Sequence, residues 1–159
     1  MEHKKLSRYL LAAGTIAGVG ALGIFLVYLL GMISVAFNPA SPYAYLAFAA
    51  IAGMCALAAL YGLALKEYFC ICLRIGKNRS FCPENAKGLH RIFQLLMVAA
   101  LLWLAAELAA FLPGMMAGVW NIAFLLFSMA SAAMGILAYA LGKLLKRATQ
   151  LQEENELTI

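Results

Sequence analysis

Aspartate is absent from this 159-residue chain, whose seven acidic residues are all glutamate. Histidine occurs only twice, as His3 and His90, both read as solvated or interfacial. There is no paired carboxylate, no Ser/His/acid set with workable geometry and no glycine-rich phosphate loop. Phosphoryl transfer and metal-assisted hydrolysis therefore lack parts, and no enzyme activity or cofactor is expected. Charge of either sign is scarce, at 12% of residues against 65% hydrophobic. Between Tyr9 and Leu65 there is none. A soluble domain of this length does not carry so much uninterrupted apolar sequence.

The charges that exist are unevenly placed. All twelve Lys and Arg residues fall in three patches. Lys4, Lys5 and Arg8 precede a first apolar stretch. Lys66, Arg74, Lys77, Arg79, Lys87 and Arg91 lie between a second and a third. Lys143, Lys146 and Arg147 follow a fourth. The other connectors, Asn38–Tyr43 and Pro113–Gly118, are uncharged. Cationic loops stay on the cytoplasmic side. The expected topology therefore has four spans, both termini and the central loop cytoplasmic, and two short loops outside. The net charge of +5 is not read as a nucleic-acid footprint, because the cations flank spans where they meet anionic lipid. A cleaved secretory signal is not expected either, since its apolar run would be roughly twice a usual signal core.

The expected fold is an all-α integral membrane protein, one domain over residues 1–159, with four transmembrane helices in one bundle. The spans are about 10–37, 43–65, 92–112 and 119–142, with a cytoplasmic tail 143–159. Proline within Asn38–Pro42 ends the first span. The second helix is expected to continue through Lys66–Ile75 to a stop at Gly76–Asn78. Cys82 takes the N-cap position before Pro83, where Ser or Thr is usual.

Lipid tails are as apolar as leucine, so close backbone approach must hold the helices together. Every span supplies small residues at three- and four-residue spacing. The first has Gly14-x-x-x-Gly18, with Gly20, Gly23 and Gly31. The second has Ala52, Ala56 and Gly62, and the third Ala99, Ala106 and Ala110. The fourth has Ser128, Ser131, Gly135, Ala138 and Gly142. Packing within the chain accounts for these; a homodimer through Gly14 and Gly18 is the alternative.

Glu107 is the one formal charge inside a span, roughly 8 Å below the outer interface at 1.5 Å per residue. An intramembrane carboxylate is costly and is a functional-site candidate by default. With no cation at its depth it is expected to be uncharged or hydrogen-bonded to neutral groups. Depth matching names Ser34, Asn121 and Tyr45 as its partners in a ligand or proton site; a structural hydrogen bond is the plainer reading. Cys55 is a small core residue. Cys70, Cys72 and Cys82 sit where thiols stay reduced. With His90 they lack the spacing of a standard zinc site, and no metal is expected. In the tail, Leu144, Leu145, Ala148 and Leu151 recur at helical spacing. The acidic stretch after them opposes the helix macrodipole, so this end should fray alone. Leu151, Glu153, Glu154 and Glu156 are the candidate surface for a partner.

Two segments carry a family resemblance. Gly76-Lys77-Asn78-Arg79-Ser80-Phe81-Cys82-Pro83-Glu84-Asn85 resembles a glycine-to-Phe-Ser/Thr-x-x-Asn turn. The ending from Ala148 to Ile159 resembles an Ala-x-x-Leu-x-Glu-Glu-Asn-Asp-Leu-Thr-Ile terminus. Together they look like the YoaS-like family of bacterial four-span membrane proteins, a domain of unknown function. Cys82 stands where that pattern has a hydroxyl, and Glu156 where Asp is commoner. The resemblance implies a bacterial inner-membrane location. It also implies a neighbouring small Cro/C1-type helix-turn-helix regulator as cytoplasmic partner, with no nucleic acid bound by this chain directly. The expected function is non-enzymatic sensing or signalling through that partner. A small transporter or lipophilic-ligand binder using Glu107 is the alternative.

Overall fold

The computed structural model describes residues 2–38, 44–77, 79–111 and 119–156. They form four helices: α1 (Glu2–Ala36), α2 (Ala44–Gly76), α3 (Pro83–Phe111) and α4 (Val119–Glu156). All four are long and apolar enough to cross a membrane, which makes this a multi-pass membrane protein. The helices outrun the apolar stretches at the end that carries the basic patches. At 1.5 Å per residue α4, with 38 residues, is about 57 Å long, against about 30 Å of hydrocarbon. No glycine or proline follows Gly142 in α4. The Lys, Leu, Arg, Ala, Gln and Glu that come next are mostly good helix formers. The helix therefore passes the expected span boundary without a break, and the acidic end is helical through Glu156.

Each helix packs against its neighbours in the chain: α1 on α2, α2 on α3, and α3 on α4. Among the described residues α1 makes no close backbone approach to α3 or α4, nor α2 to α4. The bundle is thus a row of antiparallel neighbours, with α1 and α4 at its edges.

The α3–α4 seam follows the small residues of α4. Ser128, Ser131, Gly135, Ala138 and Gly142 are all buried, and Ala99 and Ala100 face them from α3 with 0% and 4% exposure. A Cβ on Gly142 would lie 3.2 Å from the Leu89 Cβ and 3.5 Å from the Ala86 carbonyl oxygen. A larger residue there would need Leu89 to give way by a few tenths of an ångström, so the two helices are in close contact at this point. Ile71, Ile92 and Ala138 form a core where α2, α3 and α4 converge.

The α1–α2 seam is closest near the basic end. A Cβ on Gly14 would meet the Tyr68 ring at 2.5 Å and one on Gly18 the Leu65 side chain at 2.8 Å. The Tyr68 hydroxyl donates to the Leu10 carbonyl at 2.9 Å, and buried Ser7 donates to the Cys72 carbonyl at 2.7 Å. The Gly14-x-x-x-Gly18 face is therefore occupied by α2 of the same chain. Toward the other end, Phe37 and Phe48 meet edge to face at 5.8 Å. Between these contacts, Gly20, Gly23 and Gly31 face open space.

Candidate functional site

Of the depth-matched set around Glu107, neither Ser34 nor Tyr45 is bonded to it among the described residues. Glu107 is partly buried on α3, and among the described residues no hydrogen bond or ion pair reaches it. Ser34 is exposed and donates to the carbonyl of Gly31 on its own helix at 2.7 Å, a common fate for a helical serine. Since α1 does not approach α3, Ser34 cannot serve Glu107. Tyr45 is 70% exposed. Asn121 lies in the first turn of α4, with its side chain outside the described residues.

A different polar set joins the helices inside the bundle. The Trp103 Nε1–H of α3 donates to the Tyr61 hydroxyl of α2 at 3.0 Å. Tyr61 in turn is hydrogen-bonded to Ser131 of α4. The Ser131 hydroxyl spends its proton on the Phe127 carbonyl at 2.8 Å, so Tyr61 is the donor to Ser131. The order is Trp103 N–H to Tyr61 O–H to Ser131 O–H to Phe127 C=O. Each hydroxyl accepts once and donates once, and no charge is needed. Beside it Ser128 donates to the Ala100 carbonyl at 3.1 Å, and Trp103 stacks on Phe127 at 5.3 Å. The relay ties α2, α3 and α4 together with neutral groups, and it holds no acid or base. Sequence reasoning missed Tyr61 and Trp103. The available signal was that a buried Tyr or Trp needs a partner for its polar end.

At the basic end, the turn between α2 and α3 is a closed knot of hydrogen bonds. The Arg74 carbonyl accepts from the backbone N–H of both Lys77 and Arg79, each at 3.0 Å. Asn85, 1% exposed, donates through Nδ2 to the carbonyls of Arg79 and Ser80 at 3.0 and 3.1 Å. Its Oδ1 accepts from Arg74 Nη1 at 3.4 Å. Cys82 is the N-cap residue, as its place before Pro83 indicates. Its carbonyl accepts from the Asn85 N–H at 3.0 Å, while its thiol donates back to the Arg79 carbonyl at 3.3 Å. Glu84 sits in the first turn of α3. Its own backbone N–H, helped by the charges of Arg79 and Arg74, holds its carboxyl below the usual glutamate range. Glu67 and Arg91 add an ion pair across α2 and α3 at 3.0 Å.

The cysteines do not converge. Cys55 is exposed, Cys70 is half-buried, and Cys72 and Cys82 are buried. Burial pushes the Cys72 thiol up, which leaves little thiolate to react. Among the described residues no group of three or more His, Cys, Asp or Glu side chains is placed to hold a metal ion.

Past Gly142, the inward face of α4 is Leu145, Ala148 and Thr149, with Thr149 buried and bonded to the Leu145 carbonyl at 2.9 Å. Leu144 and Leu151 point out, 62% and 60% exposed. The four apolar positions of the tail therefore divide between two faces. Glu154 is exposed. The side chains of Glu153 and Glu156 lie outside the described residues.

Residues 36–159 match the family described as protein of unknown function (DUF2975). No curated protein and no solved structure matches the chain.

Proposed function

We propose that the chain, which belongs to the DUF2975 family, is a non-enzymatic inner-membrane protein that signals through a cytoplasmic partner. The observation that carries this reading is the continuity of α4. From Lys143 to Glu156 it extends as helix beyond the apolar stretch, an arm of about 20 Å at 1.5 Å per residue. Such an arm offers a second protein an ordered surface, with Leu151 and Glu154 on its exposed side. The hydrogen-bonded turn around Asn85 gives the same end of the molecule a fixed shape. The three basic patches favour the cytoplasm for this end and for both termini.

Within the family, the turn motif and the C-terminal motif suggest the YoaS-like bacterial proteins. On that reading the partner is a small helix-turn-helix regulator. Such a regulator is commonly basic, so Glu153, Glu154 and Glu156 would draw it in electrostatically. The input would be a membrane-soluble ligand or a bilayer state.

A second reading rests on Glu107, whose carboxylate is half-buried on α3 with no partner among the described residues. It makes the protein a lipophilic-ligand binder or small transporter. One experiment separates the two: co-purification of the adjacent regulator with full-length chain, with a chain lacking Gln152–Ile159, and with Glu107→Gln. The first reading expects the truncated chain to insert normally but recover much less regulator, and added salt to weaken the intact complex. Undiminished recovery by the truncated chain removes the arm from the reading. Loss of ligand response in normally expressed Glu107→Gln, with regulator binding intact, selects the second.

A further inference from the structure

On the exposed face of α4, where the apolar stretch gives way to charge, Tyr139, Ala140, Lys143, Leu144 and Arg147 form a shallow, open groove of about 390 Å³ along one helix. No helix of this chain covers it, because α4 ends the row. Its two cations stand one turn apart, at i and i+4. They differ from Arg91 and Arg74, the two cations at this end whose side-chain acceptors lie among the described residues. Arg91 is taken by Glu67, and Arg74 by the Glu84 carbonyl and Asn85 Oδ1. Among the described residues Lys143 and Arg147 meet no carboxylate.

The groove is also built in layers. Lys143 Nζ lies 5.9 Å from the centroid of the Tyr139 ring, within reach of a cation–π attraction. Tyr139 is itself braced by Phe93 at 5.1 Å. Gly142 marks the end of the apolar stretch. Tyr139 lies about 4.5 Å to its apolar side and Arg147 about 7.5 Å beyond it, at 1.5 Å per residue. Apolar surface from Ala140 and Leu144 therefore runs alongside the positive charge.

We infer that this groove is a binding site for an anionic phospholipid. Lys143 and Arg147 hold the headgroup phosphate, Tyr139 sits at the depth of the interface, and Ala140 and Leu144 lie against the first methylenes of the acyl chains. A free phosphate would use the cations but gain nothing from the apolar part. The inference rests on the helices crossing a membrane, and not on the partner reading.

The test is native mass spectrometry of the purified full-length chain titrated with phosphatidylglycerol or phosphatidylcholine. The expected result is retention of phosphatidylglycerol over phosphatidylcholine. Lys143→Gln with Arg147→Gln should weaken that retention about tenfold or more, since each cation near a membrane surface contributes on the order of 1 kcal/mol. Lys4→Gln with Lys5→Gln removes the same charge elsewhere at this end and should change retention little. The charge-keeping exchange Lys143→Arg with Arg147→Lys should retain the lipid, which separates loss of the site from loss of the fold. Any of three results would overturn the site: undiminished retention by the double Gln variant, equal loss in the Lys4/Lys5 control, or displacement of the lipid by millimolar inorganic phosphate.

Discussion

Asn85 stands among the largest fully buried side chains, and its amide is used on both sides. Two N–H groups close the turn through the Arg79 and Ser80 carbonyls, and the oxygen receives Arg74. Asn85→Ala would take the Nδ2 donor from the Ser80 carbonyl, and leave the Arg79 carbonyl with only the Cys82 thiol and Arg74 with only the Glu84 carbonyl. A buried group left unsatisfied costs about 1–3 kcal/mol, so the variant should unfold at lower temperature by light-scattering or fluorescence melts. Asn85→Asp should fail to rescue it, because the lost groups are the donors. A melting point equal to wild type in either variant would mean the turn is held by other contacts. Asn85 was legible as the last residue of a motif, though its hydrogen bonds were not. Glu107 shows the reverse: its charge is visible in any hydropathy scan, but its neighbours depend on which helices touch. Matching depth along two helices says nothing about whether they are adjacent, which is why Ser34 was paired with it and is not found beside it.

Among the helices, α1 and α4 use small residues differently. On α4 the small positions form one buried line along α3, and their three- and four-residue spacing made that seam readable from the sequence. On α1 the glycines are divided. Gly14 faces Tyr68, whose ring is pinned by its bond to Leu10, whereas Gly23 has nothing within 4 Å. Gly14→Ala should therefore loosen α1, because the ring cannot move without breaking that bond. Gly23→Ala should be neutral or stabilising by up to about 1 kcal/mol, the helix-propensity gain of alanine. Thermal melts of the two variants in the same detergent check this, and equal behaviour would argue against the α1–α2 contact. The sequence shows which residues are small, but not which way each side of α1 is turned. The Tyr61–Trp103–Ser131 relay was hidden for the same reason, since it needs the rotations of three helices at once.

For the whole molecule, the three basic patches predict that fusions near positions 3, 80 and 155 report from the cytoplasm and those near 40 and 116 from outside. A reporter at 80 that reads as external would reverse the orientation and move the α4 arm away from any cytoplasmic partner. Four apolar crossings were plain from stretches with one charge among them, Glu107; their arrangement as a row was not, because composition constrains length and depth rather than adjacency. That arrangement bears on how the protein is made. Each helix finds its seam with the one synthesised just before it: α2 meets a finished α1, α3 a finished α2, and α4 a finished α3. No helix has to wait in the bilayer for the neighbour it packs against, and the hydrogen-bonding groups of Tyr61 and Trp103 meet as soon as α3 has inserted. Biogenesis can then proceed in chain order, with α4 and its Ser131 completing the relay as the last crossing arrives.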